Sequence, residues 1–165
     1  MRLEEELRYG ATPESVAALL AEPSFHEEVC RRTGSTNFSV SVDGSPETGD
    51  FTVSVNREAS TAQLPDFARK FVGETIKVTQ REFWTRAGAD GSRTAEVDIT
   101  LSGVPLKISA SESLRPDSDG TIHAYAGELT SSMPFMGAKI ESAAERVLRK
   151  ALKEQESLVR ERLAL

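Results

Sequence analysis

A carboxylate and an amide share a strand face with apolar side chains in the segment from Thr75 to Thr85. Alternation places Glu82 and Gln80 on the same face as Trp84. Burying a carboxylate without a partner is costly, so an inward Glu82 needs a cation or a raised pKa. Arg57, in phase with the apolar residues of a neighbouring strand, is the candidate cation. These residues could form a polar anchor for the head group of a ligand. We favour the alternative, in which the strand leaves the core near Gln80 and both polar side chains are solvated, because charged side chains are rarely buried.

A histidine and a tyrosine share one face of the segment from Thr121 to Thr130. Such a pair could transfer protons in a cyclase-like site. The opposite face carries small or apolar residues, which we interpret as the core set: Ile122, Ala124 and Ala126. We therefore expect His123 and Tyr125 to lie outside the core, and we assign no catalytic residue.

The remaining histidine and the single cysteine lie in one short predicted helix. We expect His26 on the surface. Cys30 precedes two arginines, whose charge could lower the pKa of the thiol, but we favour a small buried helix residue. Two separated histidines and one cysteine give no metal-ligand spacing, so we expect no metal site.

Four large apolar side chains are candidates for ligand contact: Phe67, Phe71, Met133 and Met136. The two phenylalanines have helical spacing within residues 59–73, a segment otherwise predicted as a loop with one helical turn. They could cover the mouth of a cavity. The two methionines lie where the last strand leads into a long helix, and methionine adapts to irregular apolar ligands. Simple core packing is the alternative for all four.

Alternation of apolar and polar residues predicts a series of strands from Asn37 to Thr130. Three Asp-Gly pairs mark tight turns between them, at Asp43, Asp90 and Asp119. Tight turns between alternating segments favour an antiparallel meander over parallel crossovers. A further strand near the start, residues 1–9, has Leu3, Leu7 and Tyr9 on one face.

Helix signals flank this run of strands. Thr12-Pro13 predicts the start of one short helix, and Ser24 with Glu27 forms a capping-box pattern for a second. A long amphipathic helix is predicted from Pro134 to Leu163. Its apolar stripe contains Ile140, Ala143, Ala144, Val147, Leu148, Ala151, Leu152 and Leu158. Only a curved sheet could cover so long a helix on one side.

Composition sets limits on class and partners. The chain has 165 residues and a net charge of -6, which predicts a single domain over residues 1–165 and opposes nucleic acid or anionic membrane as partners. No stretch approaches the ~20 apolar residues of a membrane span, and residues 1–10 lack the pattern of a secretion signal. With Cys30 as its single cysteine the chain cannot form an internal disulfide, so we expect a cytoplasmic protein.

The sequence contains none of the common nucleotide, hydrolase or metalloprotease motifs. We therefore expect no cofactor, and a binding protein rather than an enzyme. The oligomeric state stays open.

The order of elements, β-α-α-β(six)-α with a long last helix, resembles the START-like superfamily, also called helix-grip, SRPBCC or Bet v 1-like. Three segments carry a closer resemblance: Met133–Glu141, Thr12–Val16 and Phe25–Glu27. They resemble an actinobacterial family of domains of unknown function, number 2505. The resemblance implies an α+β helix-grip fold in which a curved antiparallel sheet of about seven strands wraps around the last helix, with two short helices after the first strand. It also implies a cavity between helix and sheet and a habit of binding apolar molecules, but no catalytic residues.

The leading hypothesis is binding of a hydrophobic or amphipathic small molecule, lipid-, sterol- or polyketide-like, in that cavity, with Arg57, Glu82 and Trp84 as its anchors. One alternative is an enzyme of the cyclase or dehydratase type in which Tyr125, His123 or Glu82 handles protons; a perturbed pKa in a cavity-facing member would favour it. The other is a protein-interaction module that docks through Leu64–Val72, favoured by an occluded cavity and an exposed apolar patch.

Overall fold

The computed structural model describes residues 1–165, which form seven strands and four helices. The strands are β1 (Arg2–Tyr9), β2 (Thr36–Gly44), β3 (Phe51–Ser60), β4 (Thr75–Trp84), β5 (Arg93–Leu101), β6 (Leu106–Asp117) and β7 (Gly120–Ser131). The helices are α1 (Pro13–Leu20), α2 (Pro23–Arg32), α3 (Asp66–Val72) and α4 (Gly137–Leu163).

The strands form one antiparallel sheet in the order β1-β7-β6-β5-β4-β3-β2. Strands β2 to β7 follow one another as neighbours, as the tight turns predict, and β1 is added beside β7. Gly44 ends β2 with a φ of 84° and pairs with Phe51. A Cβ at this position would collide with the carbonyl oxygen of Asp50, so only glycine fits here without strain.

The two short helices pack on the face of the sheet that we call the inner face, the one turned toward the helices. The Thr12 side chain caps α1 by accepting a hydrogen bond from the Ser15 N–H, as predicted. The predicted capping box of α2 is wrong: the helix begins at Pro23, its N-cap is Glu22, and no side chain caps it. Proline fits the first turn because it has no N–H to satisfy there, and it starts the helix one residue before Ser24.

The segment after β3 is more regular than predicted. Residues 59 and 60 continue the strand, because Ala59 pairs with Ile76 and Ser60 with Thr75. The rest contains α3, a helix of seven residues rather than a single turn. No side chain of α3 is buried, so this helix lies on the surface instead of packing into the core.

Helix α4 is 27 residues long, or about 40 Å, and begins three residues later than predicted. Ala143, Leu158 and Val159 are buried. Val147 was predicted to belong to the apolar stripe, but it is 43% exposed. Ion pairs fix the helix laterally: Arg149 to Glu5 of β1 at 2.6 Å and Glu161 to Arg32 of α2 at 2.6 Å.

The buried apolar side chains form two separate clusters. The larger joins α1, α2 and the part of α4 near Leu158 to the sheet, around Phe25, Phe51 and Trp84. The smaller contains Leu3, Ile108 and Leu129. None of the helices is both long enough and apolar enough to span a lipid bilayer.

Candidate functional site

A cavity of about 100 Å³ lies between the inner face of the sheet and helices α2 and α4. Members of both apolar clusters border it, so it occupies the gap that separates them. Its apolar walls include Val97, Ile99, Ile108, Leu129, Leu148 and Leu152. Its polar lining consists of His26, Arg57, Gln80, Glu112, Tyr125 and Gln155.

Cross-strand register orders the lining from one end of the sheet to the other. Toward the end that carries α3, Ile99 pairs with Gln80 of β4 and with Ile108 of β6, and Ile108 pairs with Leu129. This row is mainly apolar. Further from α3, Glu112 pairs with Tyr125, and Leu114 pairs with His123. The polar side chains of β6 and β7 therefore lie at the end of the cavity away from α3.

Four side chains at that end form a continuous chain of hydrogen bonds. Gln155 Nε2 of α4 donates to the Tyr125 hydroxyl oxygen at 2.8 Å. The same hydroxyl lies 3.0 Å from His123 Nδ1, and His123 Nε2 lies 2.8 Å from Glu112 Oε2. We call these residues, Glu112, His123, Tyr125 and Gln155, the polar chain. It connects a fully buried imidazole to a phenol and a carboxyl that both line the cavity.

Burial determines the protonation of the polar chain. It raises the pKa of Glu112 well above its usual range, and the nearby Glu82 carboxyl raises it further. Burial lowers the pKa of His123 to about 3. Burial also raises the pKa of Tyr125, with Glu112 adding to the effect. Both shifts favour the neutral forms, so the contact between Glu112 and His123 is a hydrogen bond between neutral groups rather than an ion pair, although its 2.8 Å distance would suit either.

Hydrogen-bonding capacity then sets the direction of the polar chain. Since Gln155 donates to the Tyr125 oxygen, the phenolic proton is available to His123 Nδ1. The imidazole proton then lies on Nε2 and is donated to Glu112. Glu112 makes no other hydrogen bond, so its carboxyl proton is available to a molecule in the cavity.

A second buried carboxyl lies close by on β4. Glu82 is 4% exposed and accepts two hydrogen bonds, from Gln80 Nε2 at 2.8 Å and from Trp84 Nε1 at 3.0 Å. The favoured interpretation, in which both side chains are solvated, is wrong for Glu82, and the inward alternative is correct: Glu82 is buried and Gln80 lines the cavity. The predicted partner is different, however, because Arg57 forms no salt bridge with Glu82; two neutral donors of its own strand satisfy the carboxyl instead.

The prediction for His123 and Tyr125 is wrong, since both side chains are buried on the inner face. The residues of β7 itself favoured burial of the opposite face, but pairing with the two neighbouring strands determines which face of β7 is buried. His123 pairs with Leu7 of β1 and Leu114 of β6, and residues that pair across a sheet share a face. The inward position of Leu7, read correctly from the sequence, thus forces His123 inward as well.

Two further residues were misjudged or missed. Glu112 was missed. Alternation along β6 places it on the same inward face as Ile108, and this spacing could have identified it. It was overlooked because a charged residue is not expected on a buried face. His26 is 6% exposed, not on the surface, and its Nε2 donates to the Leu20 carbonyl at 2.7 Å. Cys30 is buried as predicted. Burial raises the pKa of its thiol more than the nearby Arg57 lowers it, so the thiol is not activated.

The structure brings together only some of the predicted ligand contacts. Arg57 lines the cavity, while Glu82 and Trp84 are buried beside it rather than in its lining. Phe67, Phe71, Met133 and Met136 lie outside the lining, and Phe71 is 58% exposed. Their contact with a ligand stays a prediction. No three His, Cys, Asp or Glu side chains are grouped so that they could hold a metal ion.

The sequence matches the model of one family, Protein of unknown function (DUF2505), over residues 4–163. The chain belongs to this family. A search of curated proteins finds no match.

Solved structures show the same architecture at low sequence identity. The protein TTHA0849 from Thermus thermophilus superposes with a TM-score of 0.61 at 12% identity, over 96% of this chain and 97% of that one. The STAR-related lipid transfer protein of Xanthomonas axonopodis gives 0.58 at 14% identity, over 96% and 85%. The Zhui aromatase/cyclase of a Streptomyces species gives 0.57 at 13% identity, over 96% and 90%. The fold of this DUF2505 protein is thus the helix-grip, START-like fold.

Proposed function

We propose that this protein binds a compact apolar or amphipathic small molecule in the cavity between the sheet, α2 and α4. The observation that carries the proposal is the lining itself: apolar walls with a few convergent polar groups, the usual composition of a ligand site. The likeness to a lipid transfer protein and to an aromatase/cyclase supports the proposal through the fold alone. A single buried thiol and no disulfide keep the cytoplasm as the proposed location.

The size of the cavity restricts the ligand. Sites for drug-sized molecules measure about 300–1,000 Å³, and an engineered cavity of about 150 Å³ accepts benzene. A cavity of about 100 Å³ fits a single ring or a short chain. A sterol, a long-chain lipid or a polyketide would require α4 to move away from the sheet, at the cost of the Arg149–Glu5 and Arg32–Glu161 contacts.

Native mass spectrometry of the freshly purified protein, followed by organic extraction, tests the proposal directly. We expect a copurified molecule of single-ring size at near-unit stoichiometry. A matched pair of variants locates it. Ala151→Leu fills the cavity from α4, whereas Ala138→Leu makes the same change at an exposed position of the same helix. Loss of the ligand in Ala151→Leu but not in Ala138→Leu supports the site. Equal retention in both folded variants would contradict it.

A second function, proton transfer to a bound ligand, is favoured by the polar chain. Its hydrogen bonds are continuous from Glu112 to Tyr125, and both ends line the cavity. Incubating the protein and its extracted ligand in D₂O tests this function. We expect deuterium to enter the ligand faster with the wild type than with Tyr125→Phe, which keeps the ring but removes the hydroxyl. Exchange at the uncatalysed rate in both would leave binding as the function.

A further inference from the structure

Arg57 is the only arginine or lysine that lines the cavity. It is half-buried and forms no salt bridge. Other half-buried arginines are paired with carboxylates, as Arg32 is with Glu161 and Arg149 with Glu5. The Cys30 thiol lies near Arg57, and burial raises the pKa of this thiol, so it supplies no negative charge.

The rest of the lining does not offset this charge. Gln80 and Gln155 are neutral, and burial together with the proximity of Glu82 raises the pKa of Glu112 and favours its neutral form. His26 donates from Nε2 to the Leu20 carbonyl, which leaves Nδ1 without a partner. The lining therefore carries a net positive charge within a protein whose overall charge is -6.

The position of Arg57 along the sheet separates it from the polar chain. It pairs with Val78, on the α3 side of the row that contains Gln80, Ile99 and Ile108. Glu112 and Tyr125 lie on the other side of that row. A cationic group, an apolar wall and a hydrogen-bonding group thus follow one another along the cavity.

We infer that the molecule bound here is an anion, an aryl or short-chain carboxylate whose carboxylate meets the Arg57 guanidinium and whose apolar body lies against Ile99, Ile108 and Leu129. This inference rests on the proposed binding function and adds the charge class of the ligand. A guanidinium binds a carboxylate through two parallel hydrogen bonds, which gives both energy and orientation. Tyr125 and Glu112 line the opposite end of the cavity, where a neutral oxygen-bearing group is accommodated and a second anionic group is not.

Two ligands of the same shape and different charge test the inference. Phenylacetate and phenylacetamide each fit the single-ring size, and only the first is an anion at neutral pH. We expect isothermal titration calorimetry with the wild type to show phenylacetate binding at least about tenfold more tightly, as expected for a hydrogen-bonded charge. Arg57→Gln should remove this preference and leave the affinity for phenylacetamide unchanged.

Two control variants separate charge at the site from other effects. Arg81→Gln makes the same change on the exposed face of β4 and should leave both affinities unchanged. Arg57→Lys keeps the charge and should retain a preference for phenylacetate, weakened by loss of the two-point contact. Circular dichroism of each variant shows whether it is folded.

The outcomes distinguish this inference from the proposed function. Equal affinity of the wild type for both compounds, or a parallel loss of both in Arg57→Gln, would overturn the inference and leave binding intact. Binding of neither compound, together with a ligand-free native mass, would overturn the proposed function and this inference with it. If Arg57→Gln does not fold, a preference for phenylacetate in Arg57→Lys as strong as that of the wild type would contradict the inference, because loss of the two-point contact at this site should weaken it.

Discussion

In the folded protein Glu112 is protonated and His123 is neutral, and this makes the pH dependence of stability a direct test of the polar chain. Glu112 keeps its proton because burial raises its pKa well above the ordinary value of 4.5. His123 stays neutral because burial lowers its pKa from 6.5 to about 3. In the unfolded chain between pH 4.5 and 6.5, the carboxyl is ionised and the imidazole is protonated. The folded and unfolded pairs therefore each hold one proton in this interval.

Taken separately, Glu112 and His123 would change the free energy of unfolding in opposite directions as the pH changes. Glu112, with a raised folded pKa, contributes stability that is greatest below pH 4.5 and is lost as the pH rises. His123, with a lowered folded pKa, contributes stability that is greatest above pH 6.5 and is lost as the pH falls toward 3. Between these values the two contributions cancel, so the pair adds no slope to the stability of the wild type.

Glu112→Gln removes the contribution of Glu112, so the pH-dependent contribution of His123 is no longer cancelled. Below pH 6.5 the unfolded variant binds one proton more than the folded variant, through His123, and its free energy of unfolding falls by about 1.4 kcal/mol per pH unit. With half-titration at the two ends taken into account, the loss between pH 6.5 and 4.5 is about 2 kcal/mol relative to the wild type. The glutamine amide can still hydrogen-bond to His123, so the geometry of the contact is preserved.

Urea denaturation at pH 4.5, at pH 6.5 and at points between gives the free energy of unfolding of each protein. The difference between variant and wild type cancels the contributions of all other titrating groups. His123→Gln should show the mirror image, a variant that becomes more stable than the wild type as the pH falls. Glu128→Gln, on the exposed face of β7, should follow the wild type. Parallel profiles for Glu112→Gln and the wild type would refute the assignment of a protonated Glu112 and a neutral His123 to the folded protein.

Two further substitutions test how the surroundings of the site are held. Trp84 is 1% exposed, its ring centroid lies 5.9 Å from that of the stacked Phe51, and its Nε1 donates a hydrogen bond to Glu82. Trp84→Ala should therefore lower the free energy of unfolding by about 3–5 kcal/mol. Trp84→Phe loses mainly the hydrogen-bond donor and should lower it by about 1–2 kcal/mol. Equal losses in chemical denaturation would show that the Glu82 contact dominates over packing. Arg93 donates to the carbonyls of Pro46, Gly49 and Thr85, so Arg93→Met should release the loop between β2 and β3 and speed cleavage after Glu47 by a glutamate-specific protease. An unchanged cleavage rate would contradict this role.

Local patterns were sufficient to predict the sheet. Alternation from Phe38 onward and three Asp-Gly turns act over a few residues, and they specify a meander whatever the rest of the chain does. The long helix was predicted for the same reason, because an apolar stripe depends on its own spacing. The N-cap of α2 was misplaced by two residues, at Ser24 instead of Glu22, since Pro23 at the first helical position and Ser24 at the N-cap are both valid start signals.

The site could not be predicted in the same way because it depends on contacts between distant strands. The residues of β7 alone do not determine which of its faces is buried. The register with β1 and β6 does, and it buries the face that carries His123. Glu112 is a charged residue in an apolar row, and nothing local shows that His123 will satisfy it. Arg57 was correctly placed near the cavity, but its relation to Glu82 depended on donors from Gln80 and Trp84.

The pairing of β1 with β7 has a consequence for synthesis of the chain. Leu3 pairs with Gly127, so translation must add ~120 residues before the first strand meets its neighbour, which takes roughly 6–25 s at 5–20 residues per second. Until then Leu3, Leu7 and Tyr9 have no strand to pair with, and the loop that must close is long. A nascent chain stalled before Gly120 lacks all of β7, so β1 and β6 both miss the strand that lies between them and each exposes an unpaired edge.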